Sequence, residues 1–465
     1  MVSENAKIGF VGGVAIAIGS SVGGGLWATP VIAGAMGGPI TVLIMMLVAV
    51  PTFLALPTYL TLTKAWPKTA GSYYYTTRML LPERKNLSKL VGFTISFSGL
   101  MLGGLIYLRY MLLGGASFLN AIVPTISTEL FTVLLLTISF AVVWFGIRAT
   151  GVAEIVLDAV LLLSIGVIVG GGLLNVEMGN LTPVMPEGFI GALPAYAVLL
   201  TLGGGAIKII NFGEEIEDVE NTIGGIIVTS AIVDILISTV VLFVAVGVVS
   251  YAQLEGQTLG FVVGQYLSGN LVVVTGIGAL VAGFTTNIAS VAVFTRIFSV
   301  LVDDNLFPEW VGRENDHGEP VYFLLFLYVL SVALTFVDVS FGALAASFSF
   351  LFVVPLMIHS IVGFRLPSTF PGIFDAESVA NSRLLRPRVV RWSALGLFVI
   401  LAVMTVFLVV TQPQAFVAYL GLVAVSVLVY GLRWWQVGDS SRLMSSGVGF
   451  RTVQSDGGEQ INRSD

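Results

Sequence analysis

Nearly the whole chain is divided into apolar runs of about 18–30 residues that do not alternate with polar ones, and this feature leaves few folds open. Inside a bilayer no water satisfies the backbone N–H and C=O groups, so only helices or closed barrels can cross it. Barrel strands would be about 10 residues long and would alternate outward-apolar with inward-polar side chains. The runs are too long and too uniform for that. Charge agrees: 56% of the residues are hydrophobic and only 10% are charged, against roughly 25% charged in a soluble domain. Most of the chain therefore has no aqueous surface to cover. An all-α polytopic membrane protein is predicted, in contact with the lipid bilayer along most of its length.

Several chemistries are disfavoured. With no cysteine, disulfides, thiol nucleophiles and cysteine metal sites are out of reach. Histidine occurs only as His317, in a loop, and His359, alone in a span. Neither stands in a metal-binding or nucleophile motif, so no enzyme is expected. No nucleic-acid partner is expected either.

Breaks at clusters of charge, proline and asparagine give twelve spans. Residues 1–7 are a short cytoplasmic N-terminus, read as preceding a first span and not as a removable signal. Residues 8–174 carry five spans, 190–364 five more and 392–435 a final pair; 436–465 form a disordered cytoplasmic tail. With the N-terminus inside, Lys64, Lys68, Arg78, Arg84, Lys85 and Lys89 all lie in one cytoplasmic connection. The outer loops, around Pro124, 175–189, 250–270, Asp338 and Pro413, then contain no lysine or arginine. That asymmetry supports the span count, the orientation and a cytoplasmic-membrane location with both termini inside.

Two spans carry the most informative local feature. In the first, Ser20-Ser21-Val22-Gly23-Gly24-Gly25 sits near mid-membrane; in the sixth, Gly203-Gly204-Gly205 does the same. Glycine costs about 1 kcal/mol in a helix interior, so such a cluster marks a place where a helix unwinds. Unwound backbone at membrane depth is tolerable only where it lines a cavity or is buried in protein. The two clusters open the two five-span halves, the arrangement of an inverted-repeat transporter whose site lies at the breaks. Freed N–H groups suit a carboxylate and freed carbonyls an ammonium group, so a zwitterion fits without an ionised side chain. Gly12-Gly13 and Gly114-Gly115 have no counterpart in the other half and are read as close-packing positions.

Gly19 to Pro30 resembles the first-helix signature of the amino acid–polyamine–organocation (APC) transporters. Pro67 to Tyr75 (PKTAGSYYY) resembles that family's first cytoplasmic loop. Gly205 to Thr222 resembles its sixth helix, with Glu214-Glu215 after the break. Arg296, Asp304, Pro308, Gly318 and Pro320 resemble the pattern that ends its eighth helix. These four blocks cover most of Lys7 to Pro320. The resemblance implies a LeuT-type 5+5 inverted repeat with two additional C-terminal helices. It implies a secondary active transporter for amino acids, with substrate between the first, third, sixth, eighth and tenth helices. By position, the amides of Gly23, Gly24 and Gly25 would hold the carboxylate. The carbonyls of Val22, Thr201 and Gly204 would hold the amine. Gly203 and Gly204 stand where the family has Phe-Ser, which enlarges the pocket. Asn305 replaces a glycine, a mild change because asparagine tolerates the left-handed cap.

The same resemblance bears on coupling. Relatives use sodium or protons, or exchange one amino acid for another, and some place a fifth-helix lysine where others bind sodium. Leu161 stands at that position here and supplies no charge. Thr285 and Thr286 stand where sodium-coupled LeuT-type carriers place a hydroxyl pair, and first-helix carbonyls near Ile18 and Ser21 would complete a shell of hard oxygens. Sodium is thus the candidate coupling ion; proton coupling or exchange is the alternative, and a transporter-derived sensor or a channel is the alternative of another class. The absence of an assured acidic partner in the pocket points to a neutral substrate. Among charges inside the spans, Asp158 and Lys208 fall in the inner third, about 11 Å from Gly151 and about 9 Å from Glu214 by helix rise. They are predicted to face each other in an inner gate, with snorkelling or proton carriage by Lys208 as alternatives. Arg109 is left between the outer vestibule, Asp234 and Glu154; Asp234 is expected in a hydrogen-bonded interior contact. Oligomeric state is not indicated.

Overall fold

The structure, a computed structural model, describes residues 7–102, 107–337 and 341–438. Most of the predicted N-terminal segment and tail lies outside the described residues. In the first half the helices are α1 (Phe10–Gly19), α2 (Thr29–Gly37), α3 (Thr41–Leu47), α4 (Ala49–Ala65), α5 (Gly71–Met79), α6 (Lys85–Leu102), α7 (Leu108–Ile122), α8 (Thr128–Trp144) and α9 (Ile147–Leu173). There follow α10 (Gly188–Gly203), α11 (Val219–Val248), α12 (Leu259–Val263), α13 (Asn270–Asp303), α14 (Val321–Thr335), α15 (Phe341–Thr369), α16 (Glu377–Ala380), α17 (Pro387–Thr411) and α18 (Pro413–Val437). Among the described residues nine segments are long and apolar enough to cross a membrane, and α8 and α14 are shorter apolar helices. The predicted third span corresponds to α6 and α7.

The side-chain pattern is that of a protein turned toward lipid. On α9 the buried positions include Thr150, Glu154, Asp158, Leu161, Ser164 and Ile168, while Val152, Val156 and Leu163 are exposed. Spacings of three and four residues place the polar groups on one face. That face looks inward and the apolar one outward, the reverse of a soluble helix. Trp392, Trp434 and Trp435 lie exposed at the ends of α17 and α18, as amphipathic rings do at a membrane interface.

Helix α13, the longest, runs against both α7 and α9; α1 packs on α9, α11 and α13. Small residues allow this closeness. A Cβ on Gly115 of α7 would stand 2.6 Å from Leu280 Cα of α13, and one on Gly13 would stand 2.7 Å from Ile226 Cδ1 of α11. The close-packing reading of these two glycines holds. Asn305 does adopt the left-handed conformation, with φ of 59°, and so ends α13.

Candidate functional site

Both predicted interruptions are present. Helix α1 stops at Gly19, and Ser20 to Gly23 are not helical. A 3-10 turn then covers Gly24–Trp27 before α2 begins at Thr29. Helix α10 stops at Gly203 and gives way to a 3-10 segment, Gly205–Asn211. The two breaks touch. Ser20 Oγ donates to the Gly205 carbonyl at 3.1 Å, and a Cβ on Gly205 would stand 2.2 Å from Ser21 Cβ.

The other glycines explain what surrounds the contact. A Cβ on Gly23 would overlap Thr286 Oγ1 of α13 at 1.5 Å, one on Gly24 would lie 2.4 Å from the Met111 carbonyl of α7, and one on Gly204 would enter the Phe352 ring of α15 at 1.4 Å. Only glycine lets these backbones approach so closely. The first and sixth predicted spans, with helices of the third, eighth and tenth, thus meet at one place.

Several of the candidate ligand atoms already make hydrogen bonds within the protein. The Gly24 amide, expected to be free for a carboxylate, donates to Thr286 Oγ1 at 3.0 Å; that hydroxyl donates to the Gly19 carbonyl at 3.1 Å. Thr286 therefore bridges the interruption. The Gly204 carbonyl accepts a long bond, 3.3 Å, from the Ile207 amide. The Ile18 carbonyl accepts from the amides of Ser21 (2.9 Å) and Val22 (2.7 Å) and from Ser21 Oγ (3.2 Å). Ser21 Oγ is also bound to the Ala17 carbonyl at 3.0 Å. Thr285 donates to the Ala282 carbonyl at 3.1 Å.

The family model for amino acid permeases matches residues 8–432, which takes in both interruptions and almost all of the final helix pair. The chain belongs to the amino acid permease family. It is a multi-pass membrane protein and a membrane amino acid transporter. No curated protein matches it.

The permease does not join Asp158 to Lys208: among the described residues no ion pair links them. Lys208 Nζ donates instead to the Ser20 carbonyl at 3.3 Å, lies 5.4 Å from the centre of the Tyr107 ring and faces Asp234. Helix rise alone placed the two residues at one depth but left their rotation open. Asp234 makes the expected interior hydrogen bond, accepting from Ser238 Oγ at 3.4 Å. Arg109 pairs with neither Asp234 nor Glu154. Its Nη1 donates to the carbonyls of Leu334 (2.9 Å) and Val337, where a cation meets the negative end of α14. His359 is bound at 2.6 Å to Tyr59 and at 3.0 Å to the Ser72 carbonyl.

The family-like charged motif becomes a buried network on the side of the connections rich in charge. Arg296 Nε donates to Glu215 at 3.0 Å and its Nη1 to Glu319 at 2.6 Å. Arg78 holds Asp304 through two bonds, 2.7 and 2.9 Å, and Tyr73 donates to the same carboxylate at 2.5 Å. Burial opposes the charge on Arg78, but Asp304 more than offsets this and raises its pKa. Burial likewise pushes the Glu319 carboxyl above its ordinary value, against the pull of Arg296. Glu215 follows the sixth-helix break, and its carbonyl also accepts from the Ile8 amide at 2.8 Å. Arg296, through Glu215, thus ties the start of the first broken segment and the end of the second to α13. Sequence reasoning found these residues by motif but not their partners.

Proposed function

We propose that this permease carries neutral amino acids across the cytoplasmic membrane by alternating access, with sodium as the coupling ion. The observation that carries the reading is the backbone contact of the two interruptions, Ser20 on Gly205, walled by Met111, Thr286 and Phe352. Main-chain dipoles freed at such a place recognise the part common to all amino acids. The amides of Gly23 and Gly25 remain for the carboxylate once Thr286 has taken that of Gly24. The carbonyls of Val22, Thr201 and Gly204 are the ammonium ligands. Lys208 is engaged with the Ser20 carbonyl and so is not left to pair with an acidic substrate side chain, which supports a neutral substrate. The Arg296–Glu215 and Arg78–Asp304 pairs act as an inner latch, broken and remade as the site changes sides.

The test is uptake into proteoliposomes from a panel of labelled amino acids, with and without imposed ion gradients. Saturable, stereoselective uptake of a neutral L-amino acid, accelerated by an inward sodium gradient, is expected. Flux that does not saturate would instead mean a channel. Uptake indifferent to sodium would remove the coupling ion while leaving the carrier.

A further inference from the structure

Two carboxylates on α9 are left bare. Glu154 and Asp158 stand four residues apart on its inward face, 0% and 6% exposed, and none of their four oxygens accepts a hydrogen bond of ordinary geometry. Buried acids stay ionised only where a cation answers their charge, and otherwise take up a proton. No ion pair among the described residues involves either one. The nearest candidate by depth, Lys208, is held on the Ser20 carbonyl.

Glu154 points at a definite place. Its Oε2 lies 2.3 Å from where a Cβ on Gly19 would stand, and Thr285 Cβ lies 3.1 Å from the same point. The carboxylate therefore fills the notch left by the missing side chain of Gly19, where α1 ends against the middle of α13. Thr285, which borders the notch, and its neighbour Thr286 carry hydroxyls of the kind a hard cation takes. Thr285 Oγ1 donates a hydrogen bond to the Ala282 carbonyl and Thr286 Oγ1 one to the Gly19 carbonyl, each at 3.1 Å. A hydroxyl that donates elsewhere keeps its lone pairs, one of which on Thr286 is taken by the Gly24 amide, and hydroxyl, carbonyl and carboxylate oxygens are the ligands hard cations take.

We propose that Glu154 is the anionic ligand of the sodium site in this permease, with the hydroxyls of Thr285 and Thr286 as neutral ligands. This rests on the sodium-coupled carrier reading and supplies what that reading lacked, a fixed negative charge to hold the ion. It also gives coupling a physical route. Thr286 joins Gly19 to Gly24 across the interruption, so an ion on Thr286 orders the segment whose amides receive the substrate carboxylate. Ion and substrate each then favour the arrangement the other needs, and their affinities rise together.

The experiment is equilibrium binding of radioactive sodium to the purified full-length permease in nanodiscs, alongside binding of a labelled amino acid found in the uptake panel. Wild type is expected to bind sodium saturably. Glu154→Gln, which keeps the shape, should weaken sodium affinity at least tenfold, and Thr285→Val should weaken it less. Glu154→Asp, which keeps the charge, should retain part of the affinity; this separates a lost ligand from a misfolded protein, as does an unchanged elution profile. Sodium affinity unaltered in Glu154→Gln overturns the proposal. So does a wild type that binds the amino acid but no sodium, a result that leaves the carrier reading standing. A wild type that binds sodium but no amino acid overturns the carrier reading instead.

Discussion

Gly23→Ala is expected to lower amino acid uptake about 100-fold or more, the loss that a misplacement of about 1 Å at a reacting or binding centre can cause. The added methyl group would stand 1.5 Å from Thr286 Oγ1, 2.7 Å from the Ala282 carbonyl and 2.8 Å from the Gly19 carbonyl. Two of those three are backbone atoms, which cannot swing aside. The first interruption must therefore move off α13, and the bridge through Thr286 breaks with it. Gly12→Ala is the control in the same segment. Its new methyl group meets only Ile8 Cβ, at 3.8 Å, and alanine favours a helix over glycine by about 0.5–1 kcal/mol. Initial uptake rates of the two variants, each normalised to the amount inserted, make the comparison. Equal rates would mean that the glycine cluster is not a binding element.

Arg296→Met should destabilise the folded permease by about 3–5 kcal/mol, the usual cost of removing one partner from a buried ion pair. Arg296 is the shared cation of Glu215 and Glu319, and the Glu319 side chain has no exposed surface. Its loss leaves two carboxylates close together without a counter-charge. Much of that penalty comes from the orphaned acids and not from lost attraction. The triple change of Arg296→Met, Glu215→Gln and Glu319→Gln should therefore melt closer to wild type than the single variant does. Thermal unfolding in detergent, followed by loss of the monodisperse species, reads this directly. A single variant that melts with the wild type would place the network outside the folded core. The triple variant should still transport poorly, because neutral groups bond equally well to one another and to water and make a weaker latch.

A chain of apolar helical segments, the two interruptions and the charged motifs were legible along the sequence. Each depends on local composition: a run of apolar residues is transferred to lipid whatever its neighbours are, and Ser20 to Gly25 or Gly203 to Gly205 weaken a helix in any surroundings. The left-handed cap at Asn305 belongs here too, since it is set by one residue type. Partnerships were not legible. Thr286 claims the amide of Gly24 and Arg109 caps the far end of α14. Glu154 turns into the notch of Gly19, and Asp158 does not meet Lys208. Each of these depends on the rotation of a helix about its axis, where a shift of one residue turns a side chain by about 100°. Rotation is set by which small residues let two backbones close together, and that choice exists only once the helices are packed.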